Sequence, residues 1–382
     1  MALSPKTFAP DALRVMVVDD LGFMRIALRQ IIEANGDMHV VGEARDGEEA
    51  VALARELKPD IITMDIEMPR MDGIEATRRI TTEVSPRTIV IMVSSHTQDG
   101  AAATIRALRQ GASDFVSKQS AFSNTDLGHI DSELPGKIRT LANNRGASPP
   151  VLAPEGARTG TQRYLNLGET VTRPTRGACL PGRAIDVVVI GVSTGGPATL
   201  ATLLRAIGPI PVPIVVAQHM PQFFTACLAQ SLTEDTGLRV REGAHRQPLP
   251  PGEVTILPGG RDAVLAPHEG STLELRLTHA DGAVHPSADL LFESAAMVAR
   301  QPVAVILTGM GDDGTRGGGR LVHRNLPVLV QRPDTCVVGG MPSAAIEAGV
   351  ASESLTLDEI ASRLRRWASP TYSPRNPEGA TP

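Results

Sequence analysis

The chain has 382 residues, more than one hydrophobic core ordinarily serves, so at least two domains are expected. Its net charge of -5, from 37 Lys plus Arg against 42 Asp plus Glu, argues against a surface for nucleic acid. Its apolar runs are far too short to insert in a membrane directly. Three scattered cysteines, Cys179, Cys227 and Cys336, offer neither a disulfide framework nor metal-ligand spacing. Together with a start that lacks the apolar core of a signal peptide, they suit the cytoplasm.

From residue 13 onward, strand-like apolar runs alternate with amphipathic helical ones. Strands are predicted at residues 14–18, 39–44, 60–64, 88–93 and 114–116, with helices between them at 23–34, 47–57 and 100–110. This alternation predicts right-handed crossovers and a parallel sheet covered on both faces, one doubly wound α/β domain over residues 13–142. Asp19 and Asp20 follow the first strand, Asp65 ends the third, Ser94 follows the fourth and Lys118 follows the fifth. All five fall at the carboxyl edge, where open α/β sheets bind ligands. Acidic residues also end strands and cap helices without binding anything. Three carboxylates at one edge, however, repel one another unless a hard cation such as Mg2+ neutralises them. Lys118 can offset the charge of an added phosphate, and Ser94 can donate a hydrogen bond to one of its oxygens.

Val17-Val-Asp-Asp20, Met64-Asp-Ile-Glu-Met-Pro-Arg-Met-Asp-Gly73, Val93-Ser-Ser95 and Asp114-Phe-Val-Ser-Lys118 make residues 13–125 resemble the receiver domain of two-component response regulators, which is flavodoxin-like. The resemblance implies that Asp65 accepts a phosphoryl group from a histidine kinase. It also implies Mg2+ held by Asp20, Asp65 and the backbone carbonyl of Glu67, with Asp19 in the same acidic set. Gln119 departs from the pattern, since receivers usually carry a proline after the lysine.

Residues 143–182 are rich in Pro, Gly, Thr and Arg without hydrophobic periodicity and read as a flexible linker. Alternation resumes over residues 183–368. Strands are predicted at 186–190, 214–217, 254–257, 273–277, 303–307 and 328–330, and helices at 197–207, 223–236, 289–299, 343–348 and 357–367. This is a second doubly wound α/β domain, Rossmann-like in class, and residues 369–382 read as a disordered tail.

Ser193 lies in Gly191-Val-Ser-Thr-Gly-Gly-Pro197, after an apolar strand and before a helix. A serine on such a turn can be a nucleophile, and the helix N-terminus favours a developing anion. The same loop could equally be an anion-binding turn with Ser193 as a helix cap. A nucleophile needs a base, and the base an orienting acid. His219 follows the strand at 214–217, and Asp312 and Asp313 follow the strand at 303–307. If these strands are parallel neighbours, the three side chains converge. His285 is a rival base or groove residue, His245, His268 and His323 read as solvated, and chemistry alone does not separate Asp312 from Asp313.

Gly191–Pro197, Gln218-His-Met-Pro221, His285-Pro-Ser-Ala-Asp289 and Leu307-Thr-Gly-Met-Gly-Asp-Asp-Gly314 make the second domain similar to the catalytic domain of chemotaxis protein-glutamate methylesterases. The resemblance implies Ser193 as nucleophile, His219 as general base and acid, Asp313 as orienting acid and the backbone N–H of Met310 in the oxyanion hole. It implies an esterase, needing no cofactor for its own chemistry, that demethylates glutamyl methyl esters on methyl-accepting chemotaxis receptors and deamidates receptor glutamines. The receiver would cover the Ser193 edge until Asp65 is phosphorylated. A non-catalytic receptor-binding adaptor is the alternative. The chain departs from the family at Gln331-Arg-Pro-Asp334, at Arg324-Asn-Leu-Pro327, and at Asp262, where a histidine is frequent.

Overall fold

The computed structural model describes residues 12–118, 128–144 and 183–371, apart from 271, 280, 281 and 283. Gln119, nearly all of the predicted linker and the end of the predicted tail lie outside the described residues.

The first domain runs β1 (Leu13–Val18), α1 (Gly22–Ile32), β2 (Met38–Ala44), α2 (Gly47–Leu57), β3 (Ile61–Asp65), α3 (Gly73–Arg79), β4 (Ile89–Ser95), α4 (Gln98–Arg109), β5 (Asp114–Lys118) and α5 (Gly128–Asn143). Its five strands form a parallel sheet in the order β2-β1-β3-β4-β5. Helices on both faces bury all five residues of β3, which explains why that strand reads as a continuous apolar run rather than an alternating one. Asp46, Asp72 and Thr97 each cap the helix that follows by accepting a backbone N–H three residues on.

The second domain begins with β6 (Val187–Val192), α6 (Gly196–Ile207), β7 (Ile214–Gln218), α7 (Phe224–Thr236), β8 (Arg239–Glu242), β9 (Gln247–Pro248) and β10 (Glu253–Ile256). It continues with β11 (Asp262–Pro267), β12 (Leu273–Thr278), α8 (Ala288–Val298), β13 (Pro302–Ile306), α9 (Thr315–His323), β14 (Val328–Gln331), α10 (Gly340–Glu347), β15 (Glu353–Leu355) and α11 (Leu357–Ala368). Seven strands make a sheet in the order β15-β14-β13-β6-β7-β10-β8. The chain leaves β6 towards β7 and returns on the other side at β13, so a topological switch point, and with it a crevice, lies at the carboxyl end of β6.

The structure adds helices α3 and α5 and strands β8, β9, β11 and β15 to the predicted elements, and two further departures concern β12 and α9. The strand predicted at 273–277 is β12, which joins no parallel sheet: it pairs antiparallel with β11 and β9 in a small separate sheet. Its sequence, Leu273-Glu-Leu-Arg-Leu-Thr278, alternates apolar with polar as a strand with one wet face does. Helix α9 was not predicted because Gly317-Gly-Gly319 opposes helix formation at about 1 kcal/mol per glycine. Packing overrides that cost. A Cβ on Gly317 would stand 2.5 Å from the Asp289 carbonyl oxygen and 2.7 Å from Phe292 Cβ, so only glycine lets α9 lie against α8.

The two domains share apolar contacts. Phe115 of β5 stacks on Phe224 of α7 with ring centroids 4.6 Å apart. Val338 of the second domain is buried in one cluster with Ile130, Leu134 and Ile138 of α5. At the edge of this interface the Arg109 guanidinium meets Glu234 at 3.2 Å and Asp235 at 2.5 Å.

Candidate active site

Strand β6 is buried along its whole length and delivers Ser193 to the switch-point crevice. Three elements hold the serine's own peptide. Its N–H donates to Thr308 O at 3.0 Å, its carbonyl accepts from Gln218 Nε2 at 3.0 Å, and the same carbonyl accepts from Gly196 N at 2.9 Å. The turn into α6 needs Gly195, whose φ of 75° lies in the left-handed region. Thr308 is held in turn, since its N–H donates to the Oε1 of buried Gln331 at 3.0 Å. The familiar Gln of the Gln331–Asp334 segment is thus structural, while Asp334 pairs with the neighbouring Arg332 at 2.7 Å.

His219 enters from β7, the strand beside β6, and its N–H donates to Val192 O at 3.0 Å. Its Nε2 lies 2.8 Å from Asp313 Oδ2. Asp313 comes from the loop after β13, the neighbour of β6 on the other side. The predicted convergence of three strand ends is therefore what the sheet order produces. Asp312 is exposed, and no described residue hydrogen-bonds its side chain, so the geometry favours Asp313 as the partner of the ring.

The Asp313 carboxylate sits at the N-terminus of α8. It accepts from Ala288 N at 2.6 Å, Asp289 N at 2.9 Å and Ser287 Oγ at 3.2 Å. Burial pushes this carboxyl up, but the hydrogen bond and charge of His219 and the backbone N–H groups outweigh burial and leave it below the ordinary aspartate value. A depressed carboxylate adds stability above its unfolded value and loses it as the pH falls through the folded one. The difference in Tm between wild type and Asp313→Asn is therefore expected to be full above pH 3.8 and to shrink below it. Thermal scans across that range check the sign, and a difference that widens towards acid would contradict it.

His285 does not compete as the base. Its Nδ1 faces both oxygens of buried Asp262 at 3.1 Å, and its Nε2 lies 2.9 Å from Gly282 O. Both ring nitrogens are thus taken up by Asp262 and Gly282, and neither is offered to Ser193. Sequence reasoning missed the part this pair plays. Asp262 Oδ1 also accepts from Ser287 N at 2.7 Å, so Asp262 and His285 brace the residue that holds Asp313. The signal available was the pairing of an unexpected aspartate with an unassigned histidine. Asp289 was also missed as a support, and its Oδ1 accepts from Gly314 N and Gly317 N. His268, read as solvated, instead lies 3.1 Å from the carboxylate of Glu274.

Gly309 packs directly on the serine. A Cβ there would stand 2.8 Å from Ser193 Cβ and would also collide with Met341 Sδ. Gly309→Ala is expected to cost about 1–3 kcal/mol of stability through overpacking. It should also lower kcat about a hundredfold by displacing Ser193. Thermal melts and steady-state rates of the variant check both. The next residue, Met310, is exposed to solvent on the domain interface, and no described acceptor takes its backbone N–H. Its sulfur lies 3.6 Å from Thr140 Oγ1, and Gly136 of the same helix faces its methyl group, so α5 of the first domain lies over the loop that flanks Ser193.

In the first domain the carboxylates of Asp19, Asp20 and Asp65 bring one oxygen each to within 4.8 Å of one another. Lys118 Nζ is 3.0 Å from Asp19 and 2.9 Å from Asp65. Burial pushes the Asp65 carboxyl up to about 6, with Lys118 opposing the shift and Asp19 adding to it. Glu67 is exposed two residues further on and lines an open cavity of about 470 Å3 together with Asp72, Asp99 and Arg106. Ser94 is buried at the end of β4 and donates to Gly100 O at 3.2 Å, towards the first turn of α4 rather than to the carboxylates. Among the described residues, no helix is long and apolar enough to cross a membrane.

The profile of the response regulator receiver domain matches residues 15–127, and that of CheB methylesterase matches residues 188–364. The protein-glutamate methylesterase/protein-glutamine glutaminase of Alkalilimnicola ehrlichii is 37% identical over 93% of this chain and 99% of its own length. The protein of the same name from Thermotoga maritima is 41% identical over 92% of this chain and 97% of its own. The crystal structure of the Thermotoga maritima CheB methylesterase catalytic domain covers 47% of this chain and 97% of that one, at 37% identity and a TM-score of 0.46. A receiver and a methylesterase domain in one polypeptide, similar to these relatives almost from end to end, place the chain in the family of CheB protein-glutamate methylesterases/protein-glutamine glutaminases.

Proposed function

We propose that this protein is a phosphorylation-activated serine esterase that hydrolyses glutamyl methyl esters on chemotaxis receptors and deamidates receptor glutamines. The observation that carries the reading is the contact of His219 Nε2 with Asp313 at 2.8 Å, built from the two strands flanking Ser193. With Nε2 engaged, Nδ1 is the ring atom available to the serine. His219 takes the Ser193 proton as Oγ attacks the ester carbonyl, and the Met310 N–H stabilises the tetrahedral oxyanion. Collapse expels methanol, which receives the proton from His219. Water, deprotonated by the same ring, then hydrolyses the acyl-enzyme and restores the serine. Glutamine follows the same course with ammonia as leaving group.

Asp65 is the phosphoryl acceptor in this reading, and a chemotaxis histidine kinase is the donor. Asp19, Asp20 and Asp65 are an all-oxygen donor set that suits Mg2+, completed by the Glu67 carbonyl, and the ion would supply positive charge against the incoming phosphoryl oxygens. Lys118, already bonded to Asp65, adds a second positive charge, and Ser94 would turn from Gly100 to the phosphate. The position of α5 over Met310 supports a receiver that covers the site and releases it when the arrangement of the domains shifts. Methanol release from methyl-labelled receptor, with and without a small phosphodonor, tests the whole scheme. A rate that neither Ser193 nor the donor influences would refute it.

A further inference from the structure

The second domain carries a cationic groove that the chemistry above does not use. It is an open depression of about 300 Å3 lined by His245, Gly260, Arg261, Leu277, Thr278 and His279. The lining holds one arginine and two histidines and no carboxylate. Among the described residues, the acid adjacent in sequence to the lining is Asp262, which is 1% exposed and already engaged by His285 and Ser287, so it does not neutralise the groove. No described residue forms an ion pair with Arg261, and its guanidinium is exposed. His245 turns Nδ1 inward to accept from Leu277 N at 3.2 Å, which leaves Nε2 for a ligand.

The groove adjoins the candidate active site through backbone on both sides of Arg261. Gly260 N donates to Met220 O at 3.0 Å, so the residue before Arg261 is fastened to the segment that carries His219. Gly259 packs so closely on the Pro221 carbonyl that a Cβ there would collide with it. The residue after Arg261, Asp262, accepts from Ser287 N, and Ser287 Oγ donates to Asp313. Arg261 thus projects from a turn anchored at once to the proposed base and to its orienting acid. None of the lining residues belongs to the first domain, so the groove is open while α5 lies over Met310.

We propose that the groove around Arg261 is a carboxylate-binding subsite that recognises an acidic residue flanking the scissile glutamyl ester. The proposal rests on the esterase reading given above. The planar fork of an arginine suits two-point recognition of a carboxylate, and the flanking imidazoles can donate further hydrogen bonds. Its position on the rim makes it a determinant of which receptor segments are chosen, with no part in bond breaking.

The test uses the full-length protein activated with an acyl phosphate. Two peptides, each holding one glutamyl methyl ester, differ only in a neighbouring glutamate or glutamine. The wild type is expected to prefer the acidic peptide in kcat/KM by roughly tenfold. Arg261→Ala should bring that ratio close to one by raising KM for the acidic peptide, with kcat and the rate on the neutral peptide held within about twofold. Arg261→Lys should recover part of the preference. A wild type that hydrolyses both peptides equally well, or an Arg261→Ala variant that keeps the preference, overturns the subsite and leaves the esterase standing. Failure of the wild type to release methanol from either peptide removes the esterase reading and the subsite with it.

Discussion

Ser193→Ala is expected to reduce methanol release from methylated receptor about a millionfold while leaving the thermal melt of the protein nearly unchanged. The serine side chain makes no hydrogen bond to a described residue, and its peptide is held by Thr308, Gln218 and Gly196 through backbone atoms that the substitution keeps. His219→Gln should cost a similar factor. Asp313→Asn should cost about ten-thousandfold, because the amide can present the wrong partner to His219 and fix the wrong tautomer. Members of such a unit act together, so a Ser193→Ala, His219→Gln double variant should be no slower than either single one. Residual rates that instead multiply would mean that the two residues act independently and that the contact between His219 and Asp313 has another purpose.

The second large effect belongs to the domain interface. Asp65→Asn is expected to keep the unstimulated rate and lose all response to a small phosphodonor. Arg109→Glu should do the opposite. It sets a carboxylate against Glu234 and Asp235, where the guanidinium now lies 3.2 and 2.5 Å away, and repulsion there opens the covered arrangement. Exposed ion pairs contribute only about 0.2–1 kcal/mol, but reversal adds repulsion to the loss, so a three- to tenfold rise in unstimulated activity is expected. The stimulation ratio should narrow by the same factor, because the open population it draws on is already partly filled. Rates of both variants with and without the donor decide the matter. An Arg109→Glu protein as quiet as wild type would separate this contact from regulation.

The sequence made some of these elements plain and hid others, for physical reasons. The parallel strands were legible because burial on both faces leaves an uninterrupted apolar run, as in Ile61-Ile-Thr-Met64 and Val187-Val-Val-Ile190. The proposed site residues could be placed in the sequence because each follows the end of such a run. The choice of Asp313 over Asp312 came only from the family resemblance, because two adjacent aspartates in a loop differ only in where the chain turns, and that is decided by the N–H groups of α8. Helix α9 was hidden because its run of glycines opposes a helix, and Gly317 among them reflects the closeness of α8, a tertiary demand that contradicts local propensity. The brace formed by Asp262 and His285 joins residues 23 positions apart on different elements, and no local pattern announces a pair of that kind.

The way Ser193 is fastened constrains how its activity can be controlled. Its peptide is tied to the loop after β13, to the end of β7 and to the first turn of α6, all parts of one sheet-and-helix core. In the proposed reading, a switch acting from the neighbouring domain therefore has little means of grading the reactivity of the hydroxyl and would work by deciding how many molecules are open. In a rapid-mixing experiment phosphorylation is then expected to act like added enzyme: the amplitude of the first turnover should grow with the donor, while the rate constant of each open molecule stays the same.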